Sequence, residues 1–254
     1  MCEICGQELH HPFQSSRRKF ILGATAVGLA FASPAGAKGK RKEKEEDDEK
    51  EKKPPKPQNV LSPDAALERL QKGNARYVDG VARRHDFKHE REALAGGQNP
   101  FAAILSCADS RIGPEYAFDT ARGDLFVCRI AGNFASDEMV ASLEYAVAVL
   151  NAPLILVLGH DSCGAVDATI KSLKDNTTLP GHLPSLVAAI APAVKAVSQQ
   201  GGDTLANATR QNVIDNVAKL KSATPILSAA VEQKKIKVVG GIYRLKDGRV
   251  DMVA

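Results

Sequence analysis

Cys107, His160 and Cys163 are the side chains with the most chemistry to offer, and they cluster where two apolar runs stop. The run FAAILS leads into Cys107-Ala-Asp109-Ser-Arg111, and PLILVLG leads into His160-Asp-Ser-Cys163-Gly164. Thiolate sulfur and imidazole nitrogen are donors that Zn²⁺ prefers, and three protein ligands leave a tetrahedral ion with one open position. An open position is what a catalytic metal needs to hold water. Taken singly, cysteines and a histidine after apolar runs are ordinary core residues. The nearby Asp109 and Arg111 weigh against that reading. Asp109 can accept the proton of an attacking hydroxide and aim its lone pair, while Arg111 can fix Asp109 in a charge-assisted pair. The pair also answers a chemical difficulty: two thiolates donate more charge than two imidazoles and make the metal a weaker acid. One Zn²⁺ per chain is the expectation.

Further motifs accompany these residues in order. Leu70-x-x-Gly73-Asn74-x-Arg76-Tyr77 and Gly97-Gln98-x-Pro100 come before the first apolar run. Arg129-x-x-Gly132-Asn133 and Ser142-Leu-Glu144-Tyr145-Ala lie between the two ligand motifs, and Val238-Val-Gly240-Gly-x-Tyr243 with Gly248-Arg-Val250 closes the chain. The set resembles the β-class carbonic anhydrases over about residues 60–254. The resemblance implies reversible hydration of carbon dioxide to bicarbonate and a proton, with zinc on Cys107, His160 and Cys163. It implies catalytic roles for Asp109 and Arg111, and a closed form in which Asp109 itself becomes a zinc ligand. It matches Gln98 to a substrate-side amide and Phe126, Ala131 and Tyr145 to pocket-lining residues, some shared with a neighbouring subunit. It also implies a homo-oligomer, dimer or tetramer, with the opening helix packed on a second subunit. Some bacterial members carry an inhibitory bicarbonate site that uses a tryptophan three residues before the first cysteine. Here that position is Ile104 and the chain has no tryptophan, so the form without this control is expected, although Arg129 and Tyr145 match other parts of that site.

The elements that must position these groups follow from the apolar pattern. Strands are expected at 101–106, 125–130, 153–158 and 236–242, and helices near 137–150, 164–174, 184–200 and 205–233. The alternation predicts an α/β fold with a mostly parallel central sheet flanked by helices, in which ligands bind at the carboxyl ends of strands. Cys107 and His160 fall at such ends, and Gly164 lets the backbone pass close to a metal as the next helix starts. Ser62-Pro63-Asp64 predicts the start of an earlier helix running to Val78, with a capping serine and a proline in the first turn. With aromatics at 5%, the core must be built from Ala, Val, Leu and Ile.

The formal charge of +4 suggests an acidic partner until it is located: residues 58–254 hold only one net positive charge. A nucleic-acid binder concentrates basic residues on its folded part, so nucleic acid is not an expected partner. Residues 1–37 read instead as an export signal, with Arg17-Arg18-Lys19-Phe20, a short apolar stretch and Ala35-Gly36-Ala37 as a cleavage site. The paired arginines resemble the twin-arginine type, which implies a bacterial export machinery as partner and a periplasmic location. Residues 38–58 form a charged Lys/Glu/Pro-rich linker, and 38–57 contain no apolar residue to bury. The catalytic domain is expected at 59–254. Cys2, Cys5, His10 and His11 could bind a metal but precede the cleavage site. Cys128 reads as an inert buried thiol and His182 as a weak proton-shuttle candidate.

Two alternatives remain at this point. The same fold and metal could hydrolyse COS or CS₂, which are also linear and apolar. A non-catalytic zinc-stabilised binding protein is a second, disfavoured by the intact Asp109 and Arg111 pair.

Overall fold

The computed structural model of the protein describes residues 60–254. The expected signal at 1–37, the linker at 38–58 and the Cys2, Cys5, His10 and His11 group lie outside the described residues. Four parallel strands form the sheet: β1 (Ala102–Ser106), β2 (Leu125–Arg129), β3 (Leu154–His160) and β4 (Lys237–Tyr243). A short β5 (Val250–Met252) pairs antiparallel with β4, giving the order β2-β1-β3-β4-β5. All four expected strands are present, and the α/β class with a mostly parallel sheet holds.

The central strands are buried on both faces, which is why they read as continuous apolar runs. On one face Ile104, Leu154, Leu156 and Leu158 pack with Val166 of α5 (Gly164–Asp175) and with Ile190 and Val194 of α6 (Leu183–Ala196). On the other, Leu105, Ile155 and Val157 meet Leu143 of α4 (Asp137–Ala148), Val213 and Val217 of α7 (Thr204–Lys221) and Leu227 of α8 (Ile226–Glu232). Each fully buried Leu or Ile contributes roughly 2 kcal/mol by removal from water, so β3 anchors both layers. The expected single helix over 205–233 is two helices. Pro225 lacks an N–H and disfavours a helical residue before it, so α7 ends at Lys221 and α8 restarts at Ile226. A helix not expected, α2 (Phe87–Leu94), is capped by Asp86, whose carboxylate accepts from the His89 amide.

The opening helix, α1 (Pro63–Val78), begins as expected, with the Ser62 hydroxyl accepting from the Ala65 amide at 3.2 Å. One face of it docks on its own chain, while Tyr77 and Val78 near its end stay partly exposed. Ala66 and Leu70 are buried in the core. A Cβ at Gly73 would collide with the Phe118 carbonyl oxygen, so only glycine lets α1 close on the end of α3 (Pro114–Ala117). Asn74 donates to the Ala117 and Gly248 carbonyls at 2.9 and 2.8 Å and accepts from the Val250 amide at 2.9 Å. Arg69 pairs with Asp124, and Arg76 with Asp119. A stripe of small and apolar residues meets a matching wall within the same chain, and buried hydrogen bonds lock it there. Among the described residues, no helix is long and apolar enough to cross a membrane.

Candidate metal centre

The chain leaves β1 for β2 on one side and later returns to β3 on the other. The crevice at the carboxyl ends of β1 and β3 is therefore the switch point of the sheet, the place where open α/β folds bind ligands. Cys107 is the first residue after β1, and His160 the last residue of β3. Cys163 is the N-cap of α5. The strands deliver two of the ligands and a helix start the third. The Cys107 and Cys163 sulfurs and a His160 ring nitrogen all lie within 4.8 Å of one another. All three residues are buried, at 3%, 1% and 0% exposure.

These residues fit a metal ion, and the histidine shows it most directly. His160 Nδ1 lies 2.8 Å from the Asp161 carbonyl oxygen, which can only accept, so Nδ1 carries the ring proton. Nε2 is left as a bare lone pair, and it is a buried atom with no hydrogen-bond partner. Leaving such an acceptor unsatisfied costs about 1–3 kcal/mol, a cost that coordination to a cation removes. The sulfurs carry the complementary charge. The Cys163 thiol, with His160 and the Gly132 and Asp109 amides, outweighs burial and brings Cys107 down to about 4. Cys163 moves up, because of its bond to the Cys107 sulfur and its burial, while the amides of Ala165 and Val166 oppose the shift. Burial pulls His160 down, but the Cys107 sulfur and the Asp109 charge leave it raised. Cys107 is thus favoured as the anionic donor, and a divalent cation would favour the anion at Cys163 as well.

Asp109 and Arg111 stand beside this cluster. Arg111 grips both carboxylate oxygens, from Nε at 2.9 Å and Nη2 at 2.7 Å, while its backbone amide donates to Oδ1 at 2.9 Å. Those bonds hold the Asp109 carboxyl well below the usual range. Asp109 Oδ2 is 3.8 Å from His160 Nε2, which puts it at the rim of the ligand cluster. It is engaged by Arg111 rather than turned inward.

Arg129, which matches only part of an incomplete anion site in the sequence, has a structural role here. Its guanidinium donates to the carbonyls of Cys107 at 3.0 Å, Asp109 at 2.7 Å and Ile112 at 2.9 Å. It clamps the loop that carries the first ligand and the Asp109 and Arg111 pair. Gly132 also contributes, through its amide, which donates to Cys107 Sγ at 3.3 Å. Its φ of +84° requires glycine, and so does the closeness of Ile190, whose side chain would lie 2.5 Å from a Cβ at this position.

The remaining residues singled out in the sequence are placed as follows. Phe126 on β2 is half-buried, and its ring centre lies 6.1 Å from that of Tyr145, which is 46% exposed on α4. Ala131 is half-buried beside Gly132, and Gln98 is exposed between α2 and β1. Gly164 opens α5, but a Cβ there would meet nothing within 4 Å, so close packing within the chain does not demand glycine. Cys128 is buried and burial pushes its thiol up, in keeping with an inert core residue. His182 is exposed at the start of α6. A cavity of about 880 Å³, lined by residues including Tyr77, Val81, Phe87 and Tyr116, contains none of the candidate ligands.

The carbonic anhydrase family model matches residues 102–250, which span the whole centre. Carbonic anhydrase 2 of Mycobacterium tuberculosis is 39% identical over 189 residues, covering 74% of this chain and 91% of its own. The carbonic anhydrase of Mycolicibacterium smegmatis is 37% identical over 192 residues, covering 75% and 93%. Among solved structures, the Coccomyxa β-carbonic anhydrase in complex with acetazolamide is 27% identical with a TM-score of 0.57, covering 74% of this chain and 86% of that one. With the strand-end cysteines and histidine in the arrangement described, this chain belongs to the β-class carbonic anhydrases.

Proposed function

We propose that the Cys107, His160 and Cys163 centre holds one zinc ion and carries out the reversible hydration of carbon dioxide to bicarbonate and a proton. The observation that carries this reading is the buried three-ligand cluster with an ionised, Arg-held carboxylate at its rim. Bound there, zinc supplies Lewis acidity that makes water a nucleophile near neutral pH; a different carbonic anhydrase, with three histidine ligands, is the standard example of that effect.

The protein groups do the rest. Asp109 stays an anion throughout the working range, so it accepts a hydrogen bond from the nucleophile and cannot donate one, which fixes where the attacking lone pair points. Arg111 removes the carboxylate's freedom to rotate by holding both oxygens. The Gly132 amide and the start of α5 offset the negative charge of the sulfurs, which limits how far two thiolates weaken the metal as an acid. By the resemblance, Phe126 and Tyr145, whose ring centres lie 6.1 Å apart, would give a small linear substrate an apolar surface. COS and CS₂ would suit the same chemistry, but the family and the relatives favour carbon dioxide. The test is stopped-flow hydration of CO₂ by the purified zinc-loaded protein, with COS as the second substrate. A kcat/KM for CO₂ near the diffusional range, roughly 10⁷–10⁸ M⁻¹s⁻¹, is expected. Turnover of COS alone would overturn the assignment.

The same chain would act outside the cytoplasm and as a homo-oligomer, a dimer or a tetramer. Exposed Val81, Phe87 and Tyr116, at 58%, 60% and 77%, line the 880 Å³ cavity and support contact with a second copy. Arg17 and Arg18 before a short apolar stretch support twin-arginine export to the periplasm. Changing both to lysine should cut the exported fraction by about ten-fold or more and leave full-length precursor in the cytoplasm. Fractionation checks this, with Lys38 expected as the mature N-terminus. Undiminished mature protein outside the inner membrane would reject the signal type.

A further inference from the structure

Three side chains far from the ligands in sequence reach the loop that touches Cys107. Asn212 of α7 is 2% exposed, and its amide nitrogen donates to the Gly132 carbonyl at 2.8 Å. One turn later Asn216, 7% exposed, accepts from the Ala135 amide at 2.7 Å. The Asn216 amide nitrogen donates back to Asn212, to the backbone oxygen at 2.7 Å and to Oδ1 at 3.1 Å. Lys219 completes the row, donating to the Ala135 carbonyl at 2.6 Å. Residues 212, 216 and 219 share one helix face, so a straight polar ladder runs along α7 beneath residues 132–135.

The ladder works against local preferences. Asparagine is a poor helix former, because its side chain competes for backbone hydrogen bonds, and it is mostly found exposed. Two buried asparagines in the middle of α7 cost stability unless their hydrogen bonds do something the loop needs. The loop they hold is unusual. Gly132 has φ of +84° and Asn133 has φ of +41°, and the Gly132 amide is the one that donates to Cys107 Sγ. The Gly132 amide and carbonyl belong to neighbouring peptide planes joined at its Cα, so tying the carbonyl limits how the residue can turn and with it where the amide points. Asn212 ties that carbonyl.

We propose that Asn212 is a positioning residue for the metal centre, aiming the Gly132 amide at the Cys107 sulfur and thereby tuning how strongly that thiolate donates to the ion. An N–H donor on a thiolate withdraws charge from it, which stabilises the free anion and leaves the metal a stronger acid. This is the compensation that a site with two thiolates requires. Lys219 holds the far end of the same loop through Ala135 alone, whereas Asn216 bonds both Ala135 and the Asn212 side chain. The inference rests on the metal-site reading above, and the two fail separately: a wild-type protein that bound no zinc would overturn that reading, whereas normal zinc binding with no effect of Asn212 overturns only this one.

The test compares full-length wild-type, Asn212→Leu and Lys219→Met proteins, loaded with zinc for chelator competition and with cobalt(II) for absorption spectra. Asn212→Leu should still bind zinc but move the thiolate-to-cobalt charge-transfer band to lower energy, because the sulfur has lost a donor. Lys219→Met removes the bond to the Ala135 carbonyl at the far end of the same loop, so it should lower Tm while leaving the band in place. A purely structural ladder would lower Tm in both and move the band in neither, and that result rejects the proposal. A measurement on the unmutated chain guards against a variant that does not fold. In the ¹¹³Cd-loaded wild type, the Gly132 amide proton should show scalar coupling to cadmium through the Cys107 sulfur. Absence of that coupling also rejects it.

Discussion

Replacing either cysteine ligand, Cys107→Ser or Cys163→Ser, should leave a folded protein with most of its zinc lost and essentially no hydration activity. A serine hydroxyl does not ionise near neutral pH, so the site would lose one anionic soft donor and keep one thiolate and one imidazole. If the three ligands share an apparent binding free energy on the order of 10 kcal/mol, each loss costs roughly 3 kcal/mol, or about a hundred-fold in affinity. The activity loss should be larger than occupancy alone explains, because residual metal would sit in a site with altered charge and geometry. The fold should survive, since the cluster lies at one end of a sheet whose β1 and β3 are buried along their whole length on both faces. Metal analysis alongside a thermal melt separates these effects. One zinc per chain in either variant would remove Cys107 and Cys163 from the ligand set.

The ligands were legible because a parallel sheet announces its strand ends. The apolar runs before Cys107 and His160 stop where the strands stop, and such ends are where this architecture binds ligands. Asp109 and Arg111 were legible by their spacing, and the structure joins them through two side-chain bonds. The rest of the centre was hidden for physical reasons. The Gly132 donor is a backbone amide, which carries no residue type to notice. Asn212 and Asn216 read as ordinary polar positions in a long helix, since the 80 or so residues between them and their partners give no local signal. Arg129 was visible only as a match to part of an incomplete anion site, and nothing in the sequence said that its guanidinium would clamp three carbonyls. The docking of α1 was hidden as well. Its apolar stripe says that a partner surface exists, and only the fit of Gly73 against Phe118 shows which part of the chain meets that face.

Asp109→Asn should keep one zinc per chain and lose turnover by on the order of a hundred-fold, with kcat rather than KM carrying the loss. The amide is the same size, so the loop clamped by Arg129 should be undisturbed and the three ligands untouched. What changes is the hydrogen-bond direction at the rim of the site. The carboxylate only accepts, and it therefore imposes one orientation on the nucleophile; the amide offers a donor on one side and lets the nucleophile turn the wrong way. Arg111 also loses the anion that it grips at 2.7 and 2.9 Å. Arg111→Lys should be impaired as well, because a single ammonium cannot hold both oxygens in a fixed plane. The pH profile supplies an independent check. Arg111 holds the Asp109 carboxyl below the ordinary carboxylate range, so its charge persists well below neutral pH and is lost only as pH falls through that depressed value. The wild-type rate should therefore rise with pH near neutrality as the nucleophile ionises, and Asp109→Asn should lower the plateau without abolishing the rise. An Asp109→Asn enzyme with full zinc and wild-type turnover would reduce Asp109 to a turn residue whose pairing with Arg111 is structural.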